Sequence, residues 1–197
     1  MDVLDQIPGY REAIERENAA RDLAFASGTQ TVSGVETLGI SLRKCILLEG
    51  GGNAFLCGGV ATQADVAQFL WVVSTSYDPG NDQARSAFLR RVGSLKYTQA
   101  VDDIRGFLDD AFQDAPSGRR IEGFVPQITS SAASYIDKVA SEYGWTEDTI
   151  LDMHLGRLFQ YIRCILKRHQ PDRTFFNASD RVRGQWLEER NREAVKN

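Results

Sequence analysis

The spacing of hydrophobic residues predicts helices along almost the whole chain. The segment 64–73 is apolar on nearly every side, which predicts a helix at the centre of the fold with Thr62 as its N-cap. Residues 155–166 repeat apolar side chains at intervals of three and four, and Pro171 is expected to end that helix. The pattern therefore predicts an all-α fold of seven to nine helices around one core.

Local composition suggests three regions. Residues 1–33 are predicted to form a charged N-terminal arm, with a helix over residues 10–26 and a Gly/Ser/Thr linker over residues 28–34. Residues 34–170 are predicted to form the helical core domain. Residues 171–197 are predicted to form a basic C-terminal helix. This organisation describes a single compact multi-helix domain with a helix at each end.

Charge is unevenly distributed along the 197 residues. The whole chain has 23 Lys and Arg against 27 Asp and Glu, a formal net charge of −4. From residue 157 onward, ten basic residues stand against five acidic ones, so this stretch carries +5 and the rest carries −9. The favoured interpretation is that the two parts neutralise each other within the fold or an oligomer; the alternative is a basic surface for an acidic partner or nucleic acid.

Cysteine usage and hydropathy indicate the compartment. No apolar run approaches the roughly 18 residues needed to cross a bilayer, and the first residues do not resemble a signal peptide. Cys45, Cys57 and Cys164 include no CxxC pair, which argues against a disulfide framework or a zinc site. The sequence predicts a soluble intracellular protein with buried free thiols.

Signatures of catalysis or cofactor binding are sparse. The glycine-rich stretch 50–53 lacks the Gly-Lys-Ser/Thr ending of a phosphate-binding loop, so it is predicted to cap a helix. His154 and His169 belong to no metal-binding motif. A site assembled from Cys164 and His169, or from acidic residues, is kept only as a minor alternative. We predict no catalytic residue, no cofactor and no metal site.

Two further patterns were weighed against simpler explanations. The pairs Asp102–Asp103 and Asp109–Asp110 lie two helical turns apart, and a solvated helix face is favoured over a cation site. The segment 140–150 has the Ala, Gly and Ile spacing of a helix-turn-helix. Its second helix, however, would present Asp148 and Asp152 to phosphates, so DNA docking is not favoured.

Three segments carry a family resemblance. They are residues 38–55, with LGI, LLE and GNAF; residues 69–79, with FLWVVS, Tyr and Pro; and residues 142–161, with EYGW, IL and RLFQY. Together they resemble the tail assembly chaperone type of tail morphogenesis protein, from tailed bacteriophages and prophages, over most of residues 34–190. The resemblance implies a non-enzymatic protein of the host bacterial cytoplasm, or of the virion, that binds the long tape measure protein while the tail tube polymerises.

Partner-binding residues are sought at the two terminal helices, because aromatic and arginine side chains commonly anchor interfaces. The candidates are Tyr10, Phe25, Arg183, Trp186 and Arg190. Core packing is the competing explanation for the tryptophan. Two other functions remain open at this point. One is a phage-encoded inhibitor of a host defence complex that acts by protein–protein binding, and the other is nucleic-acid binding through the basic C-terminal helix.

Overall fold

The computed structural model describes residues 7–26, 28–116, 130–175 and 177–196. The predicted all-α class is confirmed, since 68% of the chain is helical and 6% is strand. The count of ten described helices exceeds seven to nine because two of them are very short. The elements are α1 (Tyr10–Ala26), β1 (Thr29–Val32), β2 (Val35–Leu38), α2 (Leu42–Gly50), α3 (Ala54–Cys57), α4 (Gln63–Val73), α5 (Asp82–Val92), α6 (Tyr97–Phe112), α7 (Ser131–Tyr143), α8 (Glu147–Asp152), α9 (Leu155–His169) and α10 (Ala178–Lys196).

The chain divides into two compact units. The larger unit comprises Gly28–Pro171 and holds every element from β1 to α9. In the smaller unit α1 packs against α10, where the Tyr10 hydroxyl is hydrogen-bonded to the Ser179 hydroxyl. The Arg181 guanidinium also lies 3.5 Å from the Glu17 carboxylate. The N-terminal arm and the basic C-terminal helix thus belong to the same unit.

Residues 29–38 form a β-hairpin where the composition suggested a linker. Strands β1 and β2 are antiparallel, with Thr29 opposite Leu38 and Val32 opposite Val35. The two turn residues, Ser33 and Gly34, have φ values of 50° and 76°, as a two-residue hairpin turn requires. The linker prediction is wrong here because Val32 and Val35, on either side of the Ser-Gly turn, form a buried cross-strand pair.

Helix α4 is central to the larger unit, as its apolar sequence predicts. The Thr62 side chain accepts a hydrogen bond from the Asp65 amide, and the Asp65 side chain accepts one from the Thr62 amide, which completes a capping box. Six of its eleven residues are buried: Val66, Phe69, Leu70, Trp71, Val72 and Val73. The helix packs against α2, α5, α6 and β2, so its burial joins most of this unit.

Helix α9 supplies the second large apolar surface of this unit. Its buried face is Leu155, Leu158, Phe159, Ile162, Ile165 and Leu166, which confirms the predicted stripe. The helix starts at a His154 N-cap, whose Nδ1 accepts a hydrogen bond from the Arg157 amide at 3.3 Å. The Leu155 amide donates to the Ile40 carbonyl at 2.8 Å, which ties the start of α9 to the chain just before α2.

The glycine-rich stretch caps helices, as predicted. Gly51 is the C-cap of α2, and Gly52 follows with φ of 68°. Asn53 is fully buried and is the N-cap of α3, where its side-chain oxygen accepts from the Phe55 amide. Its side-chain amide donates to the Asp65 carbonyl at 2.9 Å. The stretch therefore joins α2 and α3 to α4.

Candidate functional site

An apolar groove of about 650 Å³ opens between α2, α6, α7 and α9 of the larger unit. The groove is lined by Leu42, Cys45, Ile46, Glu49, Phe112, Ser130, Ser131, Ala132, Tyr135, Leu155 and Phe159. The four α2 residues occupy positions i, i+3, i+4 and i+7, so they form one face of the helix. That face extends over two turns, or about 10 Å. A helical wall of this length is suited to a protein segment.

Aromatic side chains form the floor and one side of the groove. Phe159 is 1% exposed and lies between Phe112 and Tyr135, with ring centroids 5.8 Å and 5.6 Å away. Burial raises the pKa of the Tyr135 hydroxyl. The packed rings give the groove a rigid apolar base.

Two large side chains of the groove remain open to solvent. Ile46 is 46% exposed and Phe112 is 40% exposed. Both sit beside the buried floor, so they belong to one apolar surface. Clustered apolar side chains of this kind on a protein surface commonly mark a binding site.

The groove continues along α6 into an adjoining depression of about 390 Å³. Glu49 and Phe112 line both spaces, and the second space adds Phe55, Leu108 and Asp109. A third space of about 250 Å³ shares Phe55, Leu108 and Asp109 with the second. The three spaces therefore follow α6 for about two turns from Phe112, and the lining becomes mixed polar and apolar towards Arg105.

Negative charge marks the middle of this surface. Glu49 and Asp109 are both exposed and both line the second depression. Neither carboxylate forms an ion pair with any residue that the structure describes. Glu49 and Asp109 are thus carboxylates without an ion pair at the second depression, while the exposed Arg105, one turn before Asp109 on α6, lines the third space beside it.

The thiol of Cys45 is the most shielded polar group of the α2 wall. Burial raises its pKa to about 12. The predicted burial of the thiols is wrong for Cys57 and Cys164, which are exposed. Because the thiolate is the reactive species, we expect Cys45 to react with a disulfide reagent at pH 8 at least about a hundredfold more slowly than an exposed thiol.

When the native protein is titrated with a chromogenic disulfide reagent, two thiols should therefore react promptly. The third should react only after the protein is denatured. In a Cys45→Ser variant the two fast equivalents should persist and the third should be lost. Three thiols reacting at one rate in the native protein would contradict the burial of Cys45.

The predicted partner-binding residues all lie in the smaller unit. Trp186 is half-buried, and the Arg190 guanidinium lies 4.9 Å from the centre of its ring. Arg183 is exposed, Phe25 is half-buried, and the Tyr10 hydroxyl is bonded to Ser179. Trp186 and Arg190 thus form a direct cation–π pair. A role for these five residues in partner binding stays a prediction.

The histidines and the acidic pair on α6 have structural contacts. His154 caps α9, and His169 contacts the Glu142 carboxylate, whose pKa is lowered chiefly by that hydrogen bond. Asp103 accepts a hydrogen bond from the Ser33 hydroxyl at 2.8 Å. Within the part of the chain that the structure describes, no group of three or more His, Cys, Asp and Glu is placed to hold a metal ion.

The helix-turn-helix-like segment is held by ion pairs. Gly144 ends α7 in the left-handed conformation, with φ of 66°. The carboxylates of Asp148 and Asp152 on α8 lie 2.8 Å and 2.6 Å from the Arg43 guanidinium of α2. The two aspartates therefore join α8 to α2 through Arg43.

Basic residues of the C-terminal third form ion pairs inside each unit. In the larger unit, the Arg163 guanidinium lies 2.9 Å from the Asp114 carboxylate, and the Arg168 guanidinium lies 3.0 Å from Glu142. In the smaller unit, Arg181 forms an ion pair with Glu17. Part of the charge asymmetry of the sequence is therefore neutralised within the fold.

Sequence reasoning did not find the groove. Val101, Ile104, Leu108 and Phe112 have the spacing of one apolar helix face, which predicts a single buried stripe on α6. The structure instead buries Phe107 with the first two, and leaves Leu108 half-buried and Phe112 exposed. Helix α2 has more apolar residues than its buried face holds, since Leu48 is fully buried while Ile46 faces solvent. This surplus is the feature of the sequence that could have indicated the groove.

Comparisons with protein-family models, with curated proteins and with solved structures find no match to this chain. Among the described residues, no helix has the length and apolar character needed to cross a membrane.

Proposed function

We propose that this chain is a non-enzymatic tail assembly protein of a tailed bacteriophage or prophage. It acts in the host bacterial cytoplasm by binding a tail protein, with the tape measure protein as the expected partner. The resemblance of residues 38–55, 69–79 and 142–161 supports the family. The observation that carries the binding role is the apolar groove, where Ile46 and Phe112 are exposed beside a buried aromatic floor.

The groove supports this role because of what a tape measure protein needs before assembly. A long helical protein exposes apolar stripes until the tail tube surrounds it, and such stripes associate with one another in water. A groove that covers one stripe lowers the apolar area left in contact with water. Binding of this kind requires no catalytic group.

Co-expression with the tape measure protein of the same gene cluster tests the proposal. We expect the soluble fraction of the tape measure protein to rise several-fold, and the two proteins to co-elute in size-exclusion chromatography with light scattering. An unrelated long coiled-coil protein, co-expressed in the same way, should gain nothing.

A matched pair of variants tests the groove itself. Ile46→Asp places a charge in the groove, whereas Leu38→Asp places one on β2 at a nearly equal exposure, 44% against 46%. The first variant should lose the gain in solubility and the second should keep it. If the wild-type chain leaves the tape measure protein as insoluble as before and no complex elutes, the proposed function is wrong.

A further inference from the structure

The two edges of the β-hairpin differ in how the rest of the chain covers them. At the outer edge of β2, Thr37 forms an isolated bridge with Ser74. Beside it, the Thr75 amide donates a hydrogen bond to the Glu36 carbonyl at 3.0 Å. At the outer edge of β1, by contrast, residues 29–31 are all exposed. The described part of the chain therefore pairs one edge of the hairpin and leaves the other open.

The register of the hairpin determines which backbone groups the open edge presents. Val32 and Val35 flank the two-residue turn, and in such a hairpin this pair is hydrogen-bonded, as is every second pair beyond it. Thr31 and Thr29 lie at the alternate positions, so their amides and carbonyls point away from β2. Within the described residues, these four groups make no hydrogen bond. The edge thus presents two donors and two acceptors.

Strand β1 carries none of the features that commonly protect an exposed edge. Proteins block such edges with charged side chains, with proline or with a β-bulge. Strand β1 reads TQTV, and its pairing with β2 continues without a bulge from Thr29 to Val32. An uncharged edge of this kind does not repel an identical one.

Two copies of this edge are complementary to each other. In an antiparallel arrangement with a two-fold axis at Gln30, Thr29 lies opposite Thr31 of the second copy, and Thr31 lies opposite its Thr29. Each of these two pairs exchanges two hydrogen bonds, so four bonds use all the open groups of both copies. The two hairpins would then form one four-stranded sheet, which is more stable than an isolated two-stranded one.

Charge elsewhere on the hairpin does not oppose this pairing. Glu36 is the one charged residue between Thr29 and Leu38. In the joined sheet the two copies of Glu36 are separated by three strand spacings, or about 14 Å. This distance exceeds the Debye length of about 8 Å at physiological ionic strength, so their repulsion is largely screened.

We infer that strand β1 is a self-association edge, which pairs antiparallel with β1 of a second copy of this chain about a two-fold axis at Gln30. With a four-residue strand on each side, the contact is smaller than stable interfaces, which bury at least about 1,200 Å². We therefore expect a weak dimer, with a dissociation constant of roughly 0.1–1 mM. The groove takes no part in it, so this inference is independent of the proposed function.

Sedimentation equilibrium of the full chain tests the pairing with a matched pair of variants at one position. Thr31→Pro removes an amide that the hairpin does not use, and proline is tolerated on an edge strand where that amide faces solvent. We expect this variant to keep its circular dichroism spectrum and to dimerise at least about tenfold more weakly. Thr31→Val keeps the amide and should stay within about twofold of wild type.

Disulfide formation across the two-fold axis tests the register. The two copies of Gln30 would form a non-hydrogen-bonded pair with Cα atoms about 4.5 Å apart, which a disulfide can join. In a background where the exposed Cys57 and Cys164 are changed to Ser, mild oxidation of Gln30→Cys should give a covalent dimer. Glu36→Cys, an exposed position on the same hairpin but far from the axis, should give little.

The outcomes are distinct from one another. A wild-type chain that stays monomeric up to about 1 mM would overturn the inference and leave the proposed function standing. Dimerisation that survives Thr31→Pro, or equal disulfide yields from Gln30→Cys and Glu36→Cys, would place the contact on another surface. A monomeric chain whose complex with the tail protein is weakened by Thr31→Pro would assign the edge to a strand of that partner. If Thr31→Pro fails to fold, the disulfide pair decides.

Discussion

Phe69→Ala is expected to destabilise the protein by about 3–5 kcal/mol, the range for removing a fully buried phenylalanine ring. Phe69 is 0% exposed on the central helix α4. Its ring packs edge-on against Phe55 at 5.5 Å and Phe107 at 6.1 Å, so the loss leaves a cavity where α3, α4 and α6 meet. Urea unfolding followed by circular dichroism would give the change in the free energy of unfolding.

Phe112→Ala is the matched control for that measurement. It removes the same ring from a position that is 40% exposed, where less apolar surface is buried and solvent fills the space left. We expect its effect to be less than half that of Phe69→Ala. Equal effects at the two positions would contradict the central position of α4 in the fold.

Arg163→Met should also be strongly destabilising, by about 3–5 kcal/mol, because it leaves a buried carboxylate without its cation. Asp114 is 1% exposed, and its carboxylate lies 2.9 Å from the Arg163 guanidinium. The same arginine donates through Nε to the Asp114 carbonyl at 2.8 Å. Equilibrium unfolding in urea would measure the loss.

Two further variants test whether the lost stability comes from the broken ion pair or from general disruption of α9. The double variant Asp114→Leu with Arg163→Met removes both charges, and it should regain much of the stability that the single variant loses. Arg192→Met breaks the exposed pair with Glu188, whose side chains are 73% and 72% exposed, and should cost below about 0.5 kcal/mol. A double variant no more stable than Arg163→Met would show that the ion pair is not the source of the loss.

The helices of the larger unit were predictable wherever burial produced a clear pattern. Segment 64–73 is apolar on nearly every side because most of it is buried, and residues 155–166 keep an apolar stripe because one face packs inwards. The caps at Thr62 and the stretch 50–53 were also predictable, because capping depends on residues close in sequence.

The hairpin and the pairing of the terminal helices were not predictable in the same way. Residues 29–38 contain enough Ser, Thr and Gly to resemble a linker, and their hairpin depends on a turn in which Ser33 takes a positive φ. Helix α1 has few apolar residues, so its sequence does not indicate that it packs against α10. The hairpin thus depends on a local turn, whereas contacts between residues far apart in sequence decide the pairing of α1 with α10.

The groove was invisible to sequence reasoning for a related reason. Periodicity identifies the apolar face of a helix, but not which part of that face a neighbouring helix covers. On α6 the same apolar stripe continues from buried Ile104 to exposed Phe112. The sequence does not indicate which of its residues a neighbouring helix covers. The candidate site became visible only when α2, α7 and α9 were placed around it.

Helix α2 belongs to the core through Leu48 and to the groove through Ile46, with Arg43 joining it to α8. Occupancy of the groove and stability of the fold are therefore thermodynamically linked. A partner present at a hundred times its dissociation constant would add about 2.7 kcal/mol to the free energy of unfolding. The proposed function therefore predicts a chain that is most resistant to heat and proteolysis while a partner occupies the groove, and more vulnerable once that partner has left.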